Sequence, residues 1–182
     1  MEALHDIVKA GKVRYLGASC MYAWQFAKLQ HTADLHGWTP FVAMQNQYNL
    51  LRRQDERELL PMCADMGVGA VPYSPQGKGR LARAWGEQSK RSSEDKVVQA
   101  FDSPLDEPVV NAVQRVAEAR GVTMAQVALA WVLHSPFVSA PIIGATKPHH
   151  LPEAIAALGL GLTDDEIQSL EEPYTPHGLS WF

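Results

Sequence analysis

The sequence predicts an α/β fold built on parallel strands. Its 182 residues have an ordinary globular composition, 46% hydrophobic and 20% charged. Short apolar runs alternate with stretches in which apolar residues recur at helical spacing. The first three apolar runs begin at positions 13, 41 and 69, a regular spacing of 28 residues that is typical of strand–helix–strand units. These patterns leave two architectures open, an open sheet and a section of a (β/α) barrel.

The first half of the chain predicts three strands and the helices around them. Leu4, Ile7 and Val8 form a helical stripe ahead of the first strand. Gly37 is placed to end the second helix, and Pro72 is expected to disturb the third strand near its end. The predicted strands cover residues 13–18, 41–45 and 69–73, and the helices between them cover about 23–36 and 59–66.

The second half predicts one more strand inside the same single domain, 1–182. The fourth apolar run covers 140–144. Before it, the polar segment 86–105 is expected to form an exposed loop, and residues 173–182 are expected to form a C-terminal tail.

Helix starts are the clearest local signals in the second half. Asp106 is placed to cap a helix that Gly121 would end. Two further helices begin with a capping box, and the second of them also carries a hydrophobic staple. The capping pairs are Thr123 with Gln126 and Thr163 with Glu166, and the staple is Leu162 with Ile167.

Charge and composition exclude several classes of function. With 16 basic and 20 acidic side chains the net charge is −4, which argues against nucleic acid or an anionic membrane as the main partner. No apolar run approaches the ~20 residues of a membrane span, and no signal peptide is indicated, so we expect a cytoplasmic protein. Cys20 and Cys63 are too few for a disulfide scaffold, and the adjacent His149 and His150 are poorly placed to share a metal. We expect no metal site.

Polar residues and glycines follow each predicted strand. In parallel α/β folds, ligands bind at the carboxyl ends of the strands. Amides, hydroxyls, an aromatic ring, glycines and lysines suit a flat amide-bearing ring joined to phosphates, which is the chemistry of a nicotinamide dinucleotide. The same residues can equally serve as helix caps and turns. The segments concerned are 17–20, 45–49, 73–79 and 144–147.

Two common phosphate-binding motifs are absent. The run 77–79 lacks the spacing of a Walker loop, and the run 67–69 precedes a strand rather than following one, as a Rossmann fingerprint would. Cys20 is interpreted as a small, semi-buried residue at a strand end rather than as a reactive thiol.

Four segments together resemble the aldo-keto reductase family. Residues 2–19 resemble the segment leading into the family's fifth barrel strand, 45–49 its sixth-strand motif, 73–75 its seventh and 141–147 its eighth. Order and spacing also agree, over nearly the whole chain. The resemblance implies a TIM-like (β/α) barrel, of which this chain carries about the last four βα units, a half barrel.

The resemblance also implies NADPH-dependent reduction of aldehydes or ketones. Ser19 and Gln45 would hydrogen-bond the nicotinamide carboxamide, and Tyr73 would stack on the ring. Residues 74–77 would line the pyrophosphate, and Lys147 would lie near the adenosine 2′-phosphate. The cofactor-binding residues implied in this way are Ser19, Cys20, Gln45, Tyr73, Ser74, Gln76, Gly77, Gly144, Ala145, Lys147, His150 and Glu153.

The sequence departs from the family pattern at two of these positions and at one position beside them. Cys20 stands where an Asn usually follows Ser19. His150 stands where an Arg often meets the adenosine phosphate. Glu153 matches an adenine-contacting acid, but Ala154 replaces the Asn often found beside it.

The family's catalytic Asp, Tyr, Lys and His belong to the first four strands, which are outside the segments that carry the resemblance. No tyrosine of this chain matches the catalytic one, so we expect no catalytic residue here and no complete enzyme from this chain alone. Four strands of a barrel would leave two open edges, which predicts a homo-oligomer or a complementing N-terminal half as partner. The substrate of the completed site would be a small-molecule carbonyl compound.

Two other functions remain open at this point. The chain could be a non-catalytic module that binds a dinucleotide or assembles with itself. It could also be an unrelated open α/β sheet with another ligand.

Overall fold

A computed structural model of the chain describes residues 1–87, 103–176 and 178. It contains a parallel three-stranded sheet in the order β1-β2-β3, with β1 at Leu16–Ser19, β2 at Phe41–Gln45 and β3 at Gly69–Ala70. The predicted α/β class with parallel strands is therefore confirmed. The α-helices of the described residues are α1 Glu2–Lys9, α2 Ala23–His36, α3 Leu59–Asp65, α4 Glu107–Arg120, α5 Met124–His134, α6 His150–Ala156 and α7 Asp164–Glu171.

Strand β1 is shorter than predicted and pairs irregularly with β2. It begins at Leu16 rather than at position 13, and Tyr15 just before it is 75% exposed. Leu16 pairs with Phe41 but the next residue, Gly17, pairs with Ala43. The residue left over in β2 is Val42, which forms a bulge and is 44% exposed.

The fourth predicted strand is not formed, and the third is cut short. Strand β3 ends at Ala70, two residues before Pro72, which has no N–H to continue a ladder. Tyr73 returns to the sheet through isolated parallel bridges, one of them to Ile142. The Ile142 N–H donates to the Pro72 carbonyl at 2.8 Å, but Pro141 beside it can donate nothing. The segment expected as a strand over 140–144 therefore contacts the sheet edge only at this single bridge.

The helices cover one face of the sheet. Leu16 and Ala18 of β1 are buried, together with Met44 of β2, in a cluster that includes Phe26 of α2 and Cys63 of α3. A second and larger cluster joins Ala70 to the buried faces of α4, α5 and α7. Because side chains alternate along a strand, the neighbouring residues Gly17, Ser19 and Gln45 lie on the other face, and there they are exposed.

Both predicted capping boxes are present, at Thr123 and at Thr163. Asp106 stands at the predicted N-cap position, directly before α4, but the predicted side-chain cap is not formed. Its side chain makes no capping hydrogen bond but lies buried, 3.3 Å from the guanidinium of Arg52, because the loop after β2 packs against the start of α4. Replacing one partner of such a buried ion pair would destabilise the fold, because the other charge would stay buried without a partner.

The loop and tail predictions lie partly outside the described residues. Residues 88–102 belong to the predicted loop 86–105, and its described end forms a 3₁₀ turn over Pro104–Asp106. At the start of the predicted tail, Tyr174 packs on the larger cluster and its hydroxyl accepts the Arg53 N–H at 3.3 Å. Within the described residues no single helix is long and apolar enough to cross a membrane. One pair of helices, Pro104–Arg120 and Met124–His134, would reach the required length together, but it is bent by 103°.

Candidate functional site

The ends of the three strands meet at one edge of the sheet. Ser19, the last residue of β1, pairs with Gln45, the last residue of β2. The Cys20 N–H donates to the Gln45 carbonyl at 3.1 Å, and the Tyr73 N–H donates to the Asn46 carbonyl at 2.8 Å. Backbone hydrogen bonds thus place these residues side by side. We call Ser19, Cys20, Gln45 and Tyr73 the strand-end cluster.

Cys20 connects the first strand end to the third. Its backbone is left-handed, with φ 43°, and its thiol donates to the Tyr73 hydroxyl at 3.4 Å. The residue is exposed rather than semi-buried as the sequence predicted. The strand ends at Ser19, and the left-handed turn directs Cys20 away from the helix-covered face.

Ser19 and Gln45 present unused polar groups at this edge. Both residues are exposed, and neither side chain makes a hydrogen bond or an ion pair with another described residue. A hydroxyl and a carboxamide can each donate and accept. Together they can bind a group with both functions, such as another carboxamide.

Tyr73 supplies the aromatic face of the cluster. The residue is half-buried, and burial together with the Cys20 contact raises the pKa of its phenol above the ordinary value. The hydroxyl therefore stays protonated at neutral pH. Since it accepts from Cys20, its own hydrogen remains available to another acceptor.

A tight turn follows Tyr73. Asn49, fully buried, donates from its amide to the Ser74 carbonyl at 2.9 Å, and the Gly77 N–H donates to the same carbonyl at 2.9 Å. A Cβ at Gly77 would lie 3.1 Å from a methyl carbon of Leu51, and its φ of +56° is strained for other residues. The Gln76 amide makes a long contact of 3.5 Å with the Ala125 carbonyl. The turn is therefore held from the loop after β2 and from the start of α5.

The segment after Ile142 is less constrained. Gly144, Ala145 and Lys147 are exposed, and the Lys147 ammonium forms no ion pair within the described residues. His150 accepts the Thr146 N–H on Nδ1 at 3.2 Å, and Glu153 is half-buried in the first turn of α6. No hydrogen bond of the described residues joins these side chains to the strand-end cluster. The structure brings four of the predicted residues together and leaves these five on a neighbouring segment.

One polar pair behind the strand ends was missed by the sequence analysis. The Asn46 side chain is buried, with 1% of the residue exposed, and its Nδ2 donates to Asp55 Oδ2 at 2.7 Å. Asn46 Oδ1 has no partner among the described residues. Burial raises the pKa of Asp55, and the Asn46 bond opposes that shift in part. Asp55 lies in a run of charged residues that looks solvated, so no local signal indicated its burial.

A second polar region lies away from the strand ends. Arg53 binds Glu56 through two nitrogens at 2.9 Å each and Glu171 at 3.0 Å, and Glu171 also accepts the Trp131 indole N–H at 2.9 Å. These bonds tie the loop after β2 to α5 and α7. They border an open groove of about 580 Å³ lined by Arg53, His134, Asp164, Ile167, Gln168, Glu171 and Glu172. Among the described residues, no three His, Cys, Asp or Glu side chains gather to hold a metal ion.

Comparison with known proteins identifies relatives over nearly the whole chain. The sequence pattern of the aldo/keto reductase family matches residues 1–174. The versiconal hemiacetal acetate reductase of Aspergillus parasiticus is 44% identical over 98% of this chain and 53% of its own length. Aldo-keto reductases of Fusarium vanettenii and Alternaria alternata are 46% and 43% identical, over 98% and 96% of this chain and 49% and 47% of their own lengths. The chain spans about half the length of the curated relatives it matches.

Proposed function

The chain belongs to the aldo/keto reductase family, and from this premise we propose that it carries the nicotinamide side of an oxidoreductase site. The reaction proposed is NADPH-dependent reduction of an aldehyde or ketone to an alcohol. The observation that supports it best is the strand-end cluster, in which residues from three separate strand ends lie side by side.

The donors and acceptors of the cluster fit a nicotinamide ring. The free hydroxyl of Ser19 and the free amide of Gln45 match the carbonyl and NH₂ of a carboxamide. The ring of Tyr73 offers a flat face for stacking. Cys20 holds that phenol from the side, which gives a role to the residue that replaces the family's usual Asn.

The rest of the proposed cofactor would extend over the turn and the fourth segment. Ser74, Gln76 and Gly77 belong to a turn whose left-handed backbone at several positions suits anion binding by N–H groups. The adenosine end would reach the exposed segment that follows Ile142. We propose Gly144, Ala145, Lys147, His150 and Glu153 as its contacts, with Lys147 favouring NADPH over NADH.

When bound, the nicotinamide supplies a hydride to the carbonyl carbon. The residues of this chain bind the carboxamide, orient the ring and exclude water from one of its faces. We propose that the proton donor lies outside these 182 residues. Tyr48 is 3% exposed and its hydroxyl donates to Glu56 at 2.8 Å, while Tyr15 precedes β1 at the opposite end of the strand. Neither position suits a general acid at the strand ends.

We further propose that the sheet is part of a (β/α)₈ barrel. Parallel sheets are normally covered on both faces, and here the face that carries Gly17, Ser19 and Gln45 is exposed. Additional βα units, from a complementing N-terminal half or from a second copy, would cover it. Light scattering of the purified chain on its own should then give a mass above 20.1 kDa. A compact, stable monomer at micromolar concentration would contradict this.

A non-catalytic dinucleotide-binding module is the second candidate, because the strand-end cluster can bind a ring while its one tyrosine, Tyr73, is assigned to stacking rather than to proton donation. Adding the N-terminal half of a related reductase distinguishes the two. Restored carbonyl reduction supports the enzyme, and cofactor binding without any reduction supports the module.

Titration with NADPH, followed by its fluorescence, tests the proposed site. Wild type should bind saturably, and Tyr73→Ala should weaken binding about tenfold by removing the stacking face. Tyr15→Ala is the matched control, because it removes an exposed tyrosine at the other end of β1. A folded chain that does not bind NADPH, or equal losses in both variants, would contradict the proposal.

A further inference from the structure

One residue, Asn46, contacts both Asp55 and the strand-end cluster, through its side chain and its main-chain carbonyl respectively. Asp55 Oδ2 accepts from Asn46 Nδ2 at 2.7 Å, and the Asn46 carbonyl accepts the Tyr73 N–H at 2.8 Å. Asp55 therefore lies directly behind the strand end that carries Tyr73, on the helix-covered side of the sheet. The residue is half-buried, and its carboxylate is linked to the cluster through Asn46.

Stability alone gives little reason for a carboxylate at this position. Burial raises the pKa of Asp55, which means that the fold disfavours its ionised form. A neutral side chain of the same shape could accept the same hydrogen bond at lower desolvation cost. We therefore consider another effect of the charge, which is to make the electrostatic potential at the strand ends more negative.

Asp55 lies near enough to two titratable neighbours for its charge to act on their pKa values. It adds to burial in raising the pKa of the Cys63 thiol to about 11. It also contributes, after burial and Cys20, to the raised pKa of Tyr73. A ring stacked on Tyr73 would lie within the same field.

We propose that Asp55 is a positioning charge behind the nicotinamide, which favours the oxidised, cationic ring over the reduced, neutral one. The inference rests on the proposed cofactor site and deepens it. A half-buried charge beside the site is expected to change the relative affinity for two ligands that differ by one charge. The oxidised and reduced cofactors differ in this way at the ring, and they share the same phosphates.

The experiment compares dissociation constants for NADP⁺ and NADPH on the full chain, with NADPH measured by fluorescence and NADP⁺ by displacement. Asp55→Asn removes the charge and keeps an acceptor for Asn46. We expect it to raise the dissociation constant of NADP⁺ relative to that of NADPH by about threefold to tenfold. Glu58→Gln is the matched control, because it removes an equal charge from an exposed residue of the same segment. It should leave the ratio unchanged.

Wild-type protein provides a second measurement that needs no variant. Lowering the pH from 8 through the raised pKa of Asp55 should move its ratio toward that of Asp55→Asn, because the carboxylate is then protonated. The other titratable groups around Asp55 are Glu56 in the same turn, Cys63 of α3, Tyr73 after β3 and, through Tyr73, Cys20 after β1. The thiol of Cys63 and the phenol of Tyr73 have raised pKa values and stay protonated over this range. The cofactor's own phosphates titrate alike in both forms and cancel in the ratio.

The outcomes separate the two proposals. If neither nucleotide binds to folded wild type, the proposed function itself is wrong. If both bind and Asp55→Asn weakens them equally, the site is right and Asp55 acts only through structure, which overturns the inference. An equal shift of the ratio in Glu58→Gln would also overturn it.

Discussion

The two sides of the candidate site are built differently. At the strand-end cluster, Ser19, Cys20, Gln45 and Tyr73 are fixed by sheet pairing and by hydrogen bonds of 2.8–3.4 Å. Beyond Ile142 the chain is exposed and is joined to the sheet by an isolated bridge. The side proposed to bind the ring is therefore preorganised, whereas the side proposed to bind the adenosine phosphate is an exposed segment.

The largest expected effect concerns Asp55, whose carboxylate accepts a hydrogen bond from Asn46 behind the strand-end cluster. Asp55→Ala removes the only side-chain partner that Asn46 has among the described residues and leaves a buried amide unsatisfied. We expect the free energy of unfolding to fall by about 1–3 kcal/mol. Chemical denaturation measures this. A loss no greater than that of Glu58→Ala, on the exposed surface, would show that the pair does not support the fold.

The role of Asp55 can also be tested by comparing how the free energy of unfolding of wild type and of Asp55→Asn depends on pH. Because the pKa of Asp55 is raised in the folded state, its contribution to stability is fully present below the unfolded value and is lost as the pH rises through the folded pKa. Wild type should therefore lose stability relative to Asp55→Asn over that interval. If the difference in the free energy of unfolding between the two proteins is the same at every pH, the pKa of Asp55 is not raised in the folded state.

A smaller effect, on NADPH binding, is expected from removing one hydrogen-bond donor of the strand-end cluster. Ser19→Ala should weaken NADPH binding by about threefold to tenfold, the value of a single hydrogen bond. It should leave the binding of adenosine 2′,5′-bisphosphate unchanged, because that probe has no nicotinamide. Equal losses for both probes would mean that the two sides of the site are not distinct.

The smallest effect on nucleotide binding is expected from a substitution in the exposed segment that follows Ile142. Lys147 is exposed, and exposed charge pairs contribute little, so Lys147→Ala should weaken NADPH and adenosine 2′,5′-bisphosphate by only about twofold to fivefold. NADH, which has no 2′-phosphate, should be unaffected. If NADH binding falls by as much as NADPH binding, Lys147 does not contact that phosphate.

The same contrast separates what the sequence could predict from what it could not. Strand β2 over 41–45, helix α2 over 23–36 and both capping boxes depend on local patterns, and the structure has all of them. The strand ends were identified as the place for chemistry because parallel strands align their carboxyl ends.

Tertiary contacts account for the errors and omissions. Asp106 was predicted to cap a helix because its partner Arg52 is 54 residues away and leaves no local trace. Asp55 was missed for the same reason. The fourth strand failed because apolar composition does not compensate for the missing N–H of Pro141. Tyr15 is exposed because β1 begins only at the next residue, Leu16.

The most direct test of the central claim is to map NADP⁺ binding onto the backbone of the chain by two-dimensional NMR. Saturable shifts of the amide signals of residues 19–20, 45–47 and 73–77, with a common dissociation constant, would show that the three strand ends form one site. Signals of Tyr15 and Trp24 should stay in place. Shifts confined to residues 147–153, or no shifts in a well-folded sample, would contradict the account.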